Sequence, residues 1–168
     1  MPMPHILTAT LDDAPGVLDR VASLFRRRTF NIHSLTVSPS EVEGCSRMTV
    51  VVDTDELGAR RAAAHLQKLI QVRSVTQHME RTVVRDLALV RVRAPESVRP
   101  QILQLAQVFR AQVVDLDLES LVLECTGGLD KLDRFVAVLR PFGLLELVRS
   151  GAVAMSRRSE ALTLDLPA

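Results

Sequence analysis

Ile6-Leu7-Thr8-Ala9-Thr10-Leu11 runs directly through Asp12-Asp13-Ala14-Pro15-Gly16 into Val17-Leu18, and the reading of this passage decides the fold. The first six residues read as a strand and the next five as turn chemistry. Val17, Leu18, Val21, Ala22, Leu24 and Phe25 then recur at helical spacing on one face. Residues 31–37 and 48–52 read as two more strands joined by a polar loop over 38–44. Ala59, Ala62, Ala63, Leu66, Leu69 and Ile70 form a second helical face, and residues 72–78 a closing strand. The order is βαββαβ.

The same order returns further along. Residues 87–92 read as a strand, and Val98, Ile102, Leu105, Ala106 and Phe109 as a helical face. Residues 113–116 and 121–125 make a tight hairpin. Leu129, Leu132, Phe135, Val136 and Leu139 make another helical face, and residues 144–148 close the unit. The stretch Phe25-Arg26-Arg27-Arg28-Thr29-Phe30-Asn31-Ile32 is echoed 84 residues on by Phe109-Arg110-Ala111-Gln112-Val113-Val114-Asp115-Leu116. These patterns predict an α+β chain of two tandem ferredoxin-like domains, 1–79 and 86–156, with a linker over 80–85 and a tail over 157–168. Each such unit has one sheet face under its two helices. The other face needs a cover, and an oligomer is expected.

Composition narrows the function. Lys plus Arg is 21 against 20 for Asp plus Glu, and neither half departs from balance, so no field gathers nucleic acid or anionic lipid. Tyr and Trp are absent, which excludes a stacking platform for bases, and Asn31 is the only asparagine. Cys45 and Cys125 lie in apolar stretches without a CxxC partner and read as buried thiols of a cytoplasmic protein. No apolar run approaches the ~18 residues of a membrane span, and no secretory signal is expected.

The strand-to-helix loop is the most informative place for binding. Pro15 suits a first helical turn, Gly16 lets a ligand approach the backbone, and free helix N-terminal amides suit a small carboxylate. Asp13 offers a partner for an ammonium group, and Asn31 offers both donor and acceptor. The set has the polarity of an α-amino acid site. The competing reading is that Asp12 or Asp13 caps the helix and Asn31 terminates it. His5, His33, His65 and His78 are scattered and predict no metal site, Ser46 has no nucleophile elbow, and Gly127-Gly128 lacks phosphate-loop spacing. Asp12-Asp13 beside the first strand also argues against a phosphate-cradling hydrolase of this fold.

Asp13-Ala14-Pro15-Gly16-Val17-Leu18, Arg20-Val21-Ala22-Ser23-Leu24-Phe25, Phe30-Asn31-Ile32-His33-Ser34-Leu35-Thr36-Val37 and Ser46-Arg47-Met48-Thr49 together resemble the small, regulatory subunit family of acetolactate synthase. Phe109-Arg110-Ala111, Leu129-Asp130-Lys131-Leu132 and Glu146-Leu147-Val148-Arg149-Ser150-Gly151 resemble the C-terminal domain of that family. The resemblance implies an N-terminal ACT domain, dimerised side by side, that senses a branched-chain amino acid, usually valine. It places that ligand at Asp13, Gly16, Val17, Leu18, Asn31 and Ile32. It further implies a non-catalytic chain without cofactors of its own, which activates a separate catalytic subunit carrying thiamine diphosphate, magnesium and FAD. A free-standing ACT sensor for another enzyme is the alternative, and the second domain argues against it.

Three positions depart from the family's usual pattern. Asp13 stands where Asn is common, and Thr29 where Gly is common. Ser156-Arg157-Arg158 replaces Ser-Arg-Gly, before an unusual Leu162-Thr163-Leu164-Asp165-Leu166. A left-handed Thr29 would carry ~1–2 kcal/mol of strain.

Overall fold

The computed structural model of the chain describes residues 3–78 and 82–157. They divide into two compact units, with breaks between Val83 and Val84 and between Val153 and Ala154.

The first unit follows the order β1 (Met3–Asp12), α1 (Val17–Arg27), β2 (Asn31–Pro39), β3 (Cys45–Thr54), α2 (Glu56–Leu66) and β4 (Val72–His78). Its strands form an antiparallel sheet in the order β2-β3-β1-β4, so β2 and β4 are the edges. Alternation along β1 and β3 sends Leu7, Ala9, Leu11, Met48, Val50 and Val52 to one face, where Val21 and Phe25 of α1 and Ala62 and Leu66 of α2 complete the core. On the other face Thr8, Thr49 and Val51 are buried as well. His78 lies there too: its Nε2 is 2.8 Å from Thr8 Oγ1 and its Nδ1 is 3.1 Å from Thr82 Oγ1. Burial, and secondarily the charge of Arg47, lowers the pKa of this imidazole.

The order repeats with β5 (Thr82–Arg93), which enters the second unit at Val84, then α3 (Arg99–Phe109), β6 (Gln112–Leu116), β7 (Ser120–Gly127), α4 (Leu129–Leu139) and β8 (Leu144–Arg149), followed by β9 (Val153–Ser156), which from Ala154 onward falls in the first unit. The sheet runs β6-β7-β5-β8, and β9 pairs with β5. Ala88, Val90, Val92, Leu121, Leu123 and Cys125 face Ile102, Leu132, Phe135 and Leu139 across the core. Phe109 packs against Phe135 with ring centroids 5.3 Å apart. Both cysteines are buried and free, and burial pushes the Cys125 thiol up. Among the described residues no helix is long and apolar enough to cross a membrane.

Several boundaries differ from the sequence reading. Pro15 does not open α1: Gly16 occupies the cap with φ 84°, and the helix starts at Val17. The second helix ends at Leu66, because Lys68 and Leu69 donate to the carbonyls three residues back and tighten the chain into a turn. Ile70 is consequently 92% exposed rather than part of the helical face. Residues 82–85, read as linker, begin β5, where Thr82, Val83 and Val84 suit extended backbone. β9 was not foreseen, being a four-residue strand whose pairing depends on the rest of the sheet. Of the tail, residues 158–168 lie outside the described part.

The internal repeat also has a different register from the 84-residue echo. After α1, Thr29 N–H donates to Arg26 O and Phe30 N–H to Phe25 O, a Schellman closure with Thr29 left-handed at φ 56°. After α3, Arg110 N–H donates to Gln107 O and Ala111 N–H to Ala106 O, with Arg110 at φ 53°. Thr29 therefore matches Arg110, and the offset here is 81 residues. Phe25 corresponds to Ala106, so the two phenylalanines are not equivalent. The edge-to-face contact of Phe25 with Phe30, at 6.0 Å between centroids, secures the first closure. A β-branched residue in this conformation is strained by ~1–2 kcal/mol, part of which Gly would relieve at some entropic cost. Thr29→Gly is expected to stabilise the first unit by about 0.5–1 kcal/mol, read as a higher urea midpoint at unchanged slope.

Candidate functional site

The loop from β1 to α1 is held by backbone bonds. Asp12 N–H donates to Gln71 O and Asp13 N–H to Gly44 O, each at 2.9 Å, which ties the loop to the start of β4 and to the β2–β3 hairpin. The Asp12 carboxylate accepts from Arg73 Nε at 2.7 Å, and that hydrogen bond raises the Arg73 pKa. Neither Asp12 nor Asp13 caps the helix, because α1 has no side-chain cap. Asp13 is exposed, and among the described residues no hydrogen bond or ion pair engages its carboxylate.

Gly16 makes the helix entry possible. Its φ of 84° is a left-handed value that glycine adopts without a Cβ penalty, and a Cβ placed there would meet nothing within 4 Å. The space in front of the helix end is open. Val17 N–H donates to Ala14 O at 3.4 Å and Arg20 N–H to Gly16 O at 3.1 Å. The amides of Leu18 and Asp19 have no acceptor among the described residues, as expected for a first helical turn. The Val17 side chain is buried in the core, whereas Leu18 is 45% exposed. This end of the unit offers backbone donors, a positive helix terminus and one apolar side chain, which suits a small carboxylate with an aliphatic group.

Asn31 lies elsewhere. It opens the edge strand β2 opposite Asp53 of β3, and its Nδ2 donates to Asp53 Oδ2 at 3.2 Å. His33 Nδ1 is 3.6 Å from the same oxygen. Ile32 pairs with Val52 and packs on the core, leaving mainly its backbone at the edge. Asn31 therefore does more than end a helix.

Register gives the separation of the two groups. Asn31 is level with Asp53 and Pro4, whereas Asp12 is level with Cys45 at the other end of β1. Eight residues of strand at ~3.3 Å each put them about 26 Å apart. Within one chain the structure groups Asp13, Gly16, Val17 and Leu18 at one end of the sheet, and Asn31 and Ile32 at the other. No single small ligand spans that distance. Asp53 and Arg73, which partner Asn31 and Asp12, escaped the sequence reading because only strand register brings them there.

The second unit has no counterpart of the open loop. The Arg99 guanidinium donates to the carbonyls of Ala94 and Asp117, at 3.1 and 3.0 Å, and to that of Leu118, closing the loop between β5 and α3. At the 81-residue offset Gln112 stands where Asn31 does, opposite Glu124 instead of Asp53. No group of His, Cys, Asp and Glu among the described residues is placed to hold a metal ion.

Known proteins match both units. Residues 7–74 match the ACT domain of the acetohydroxyacid synthase small-subunit type, and residues 85–158 match the family described as the small subunit of acetolactate synthase. The chain is 44% identical to a probable acetolactate synthase small subunit of Archaeoglobus fulgidus, covering 92% of this chain and 98% of that one. It is 45% identical to the acetolactate synthase small subunit of Mycobacterium leprae, covering 91% of each. Among solved structures, the acetolactate synthase small subunit of Thermotoga maritima superposes with a TM-score of 0.83 at 34% identity, over 93% of this chain and 98% of that one.

Proposed function

Since the chain belongs to the small-subunit family of acetolactate synthase, we propose that it binds and activates a separate catalytic subunit, and that valine reverses this activation by binding between two copies of the chain. The observation that supports the proposal is that the residues expected to hold the amino acid lie at opposite ends of one sheet. β2 is an edge strand, and its end at Pro39 is level with Ser46, one residue from the level of Asp12. Antiparallel pairing of β2 with β2 of a second copy, about a two-fold axis through its middle, brings Asn31 of one protomer toward the Asp13–Gly16 loop of its partner. One operation completes two sites. It also pairs an otherwise unpaired strand edge.

In this arrangement the Leu18 and Asp19 amides take the valine carboxylate, Leu18 packs on the isopropyl group, and Asn31 from across the interface contacts the ammonium. Gly16 keeps the approach clear. Valine then favours whichever arrangement of the two protomers brings the half-sites to the right separation. A coupling of ~1–3 kcal/mol between effector and partner is enough for a five- to 150-fold response. The chemistry of acetolactate formation, with its thiamine diphosphate, magnesium and FAD, is assigned to the catalytic subunit.

The test is reconstitution. Purified catalytic subunit is assayed for acetolactate formation with and without this chain, across a valine titration. The expected result is a several-fold rise in activity that valine removes. If the chain neither raises activity nor confers valine sensitivity, the proposal is wrong.

A further inference from the structure

We infer that Asp53 sets the orientation of Asn31 and supplies the negative charge that recognises the ammonium group of the effector; this rests on the effector site proposed above. The argument starts from the one hydrogen bond that fixes the Asn31 amide. An ionised carboxylate only accepts, so with Asp53 Oδ2 3.2 Å from Nδ2, Asn31 must turn its NH2 group toward Asp53. Its carbonyl Oδ1 is thereby presented away from Asp53. His33 Nδ1 lies near the same carboxylate oxygen, at 3.6 Å, which leaves Asp53 Oδ1 without a partner among the described residues. Two acceptor oxygens, one neutral and one charged, thus stand together at the start of β2 and the end of β3. An ammonium group carries three donors and a full charge, and such a pair fits it.

Asp13 is the rival carboxylate. It projects from an exposed loop beside the amides that take the ligand's own carboxylate, where its charge repels the ligand as well as attracting it. Asp53 is 31% exposed at its side chain, is bonded directly to Asn31, and stands apart from the helix terminus of its own chain. The site then reads an α-amino acid by dividing its charges: helix amides of one protomer for the carboxylate, the Asn31–Asp53 pair of the other for the ammonium. A branched acid without the amino group satisfies only the first half.

The experiment compares valine with 3-methylbutanoate, its deaminated analogue, by calorimetry on the full-length chain. Wild type should bind valine and discriminate strongly against the analogue. Asp53→Ala should weaken valine about 10- to 100-fold and leave the analogue unchanged or tighter, so that discrimination collapses. Asp53→Asn keeps an acceptor for Asn31 Nδ2 but removes the charge, and should fall between the two. Asp13→Asn should keep discrimination within about threefold of wild type. Unchanged valine affinity and discrimination in both Asp53 variants, with melting curves like wild type, overturn the inference alone. So does loss of discrimination in Asp13→Asn together with its retention in the Asp53 variants. Failure of wild type to bind valine overturns the effector reading itself.

Discussion

Gly16→Asp is expected to remove the valine response of the reconstituted enzyme and to weaken valine binding by at least 100-fold, about 2.7 kcal/mol. Three effects act in the same direction. The left-handed φ of 84° is unfavourable for any residue with a Cβ, so the loop shifts or carries strain of ~1 kcal/mol. The space that a Cβ would enter is empty within the chain, and in the proposed site it is the ligand's approach to the Leu18 and Asp19 amides. The new carboxylate would also take the favourable place at the helix terminus that the proposed site gives to the valine carboxylate. Folding should suffer little, because no neighbouring atom collides and Asp is otherwise a favoured residue before a helix. A melting temperature within a few degrees of wild type, together with silent calorimetry, is the expected pair of results. Asn31→Ala should give the same loss from the opposite half-site. Valine binding at wild-type affinity in both variants would remove this loop and β2 from the effector site.

The second large effect concerns stability. Asp86→Ala is expected to destabilise the second unit by about 3–5 kcal/mol, because it leaves Arg149 without its buried partner. The Asp86 side chain is 2% exposed. Its Oδ2 accepts from Arg149 Nε at 2.8 Å and its Oδ1 from Ser150 Oγ at 3.0 Å, while Ser150 Oγ also accepts from the Leu87 amide at 3.2 Å. Burial works against the charge on Arg149, but hydrogen bonds to Asp133 and Asp86 more than offset it, so its pKa is raised. At ~4–8 °C per kcal/mol for a unit of this size, the transition should fall by more than 10 °C. Asp133→Ala is the control. That carboxylate also accepts from Arg149, at 2.7 Å, but it is 65% exposed, so its removal should cost less than about 1 kcal/mol. Equal losses in the two variants would refute the central role of Asp86. The Arg149-Ser150-Gly151 stretch, which carries part of the family resemblance, thus serves to pin the end of β8 to the start of β5.

How far the sequence could be read depended on the range of the forces involved. Alternation in β1 and β3 and the helical spacing of Val17, Val21 and Phe25 are local records of burial, and the βαββαβ order followed from them. Helix ends were less legible. Leu69 and Ile70 continue an apolar pattern, yet the chain tightens after Leu66 and leaves Ile70 in solvent. The repeat register was misplaced by three residues because Phe25 and Phe109 look alike as letters, whereas the backbone aligns Thr29 with Arg110.

The local roles of Gly16 and Asn31 were visible in the sequence, because a left-handed turn at a helix entry and a lone amide at a strand start are choices of residue type. The sequence by itself thus determined the two-domain α+β architecture, the loop with free amides and the family. Only the tertiary structure put Asn31 and the Asp12–Gly16 loop at opposite ends of one sheet, about 26 Å apart at ~3.3 Å of strand per residue. It alone placed Asp53 on Asn31 and closed the second unit's loop with Arg99. The reason is physical: local propensity is written residue by residue, but cross-strand register depends on pairing between segments distant in the chain, and no single segment encodes it.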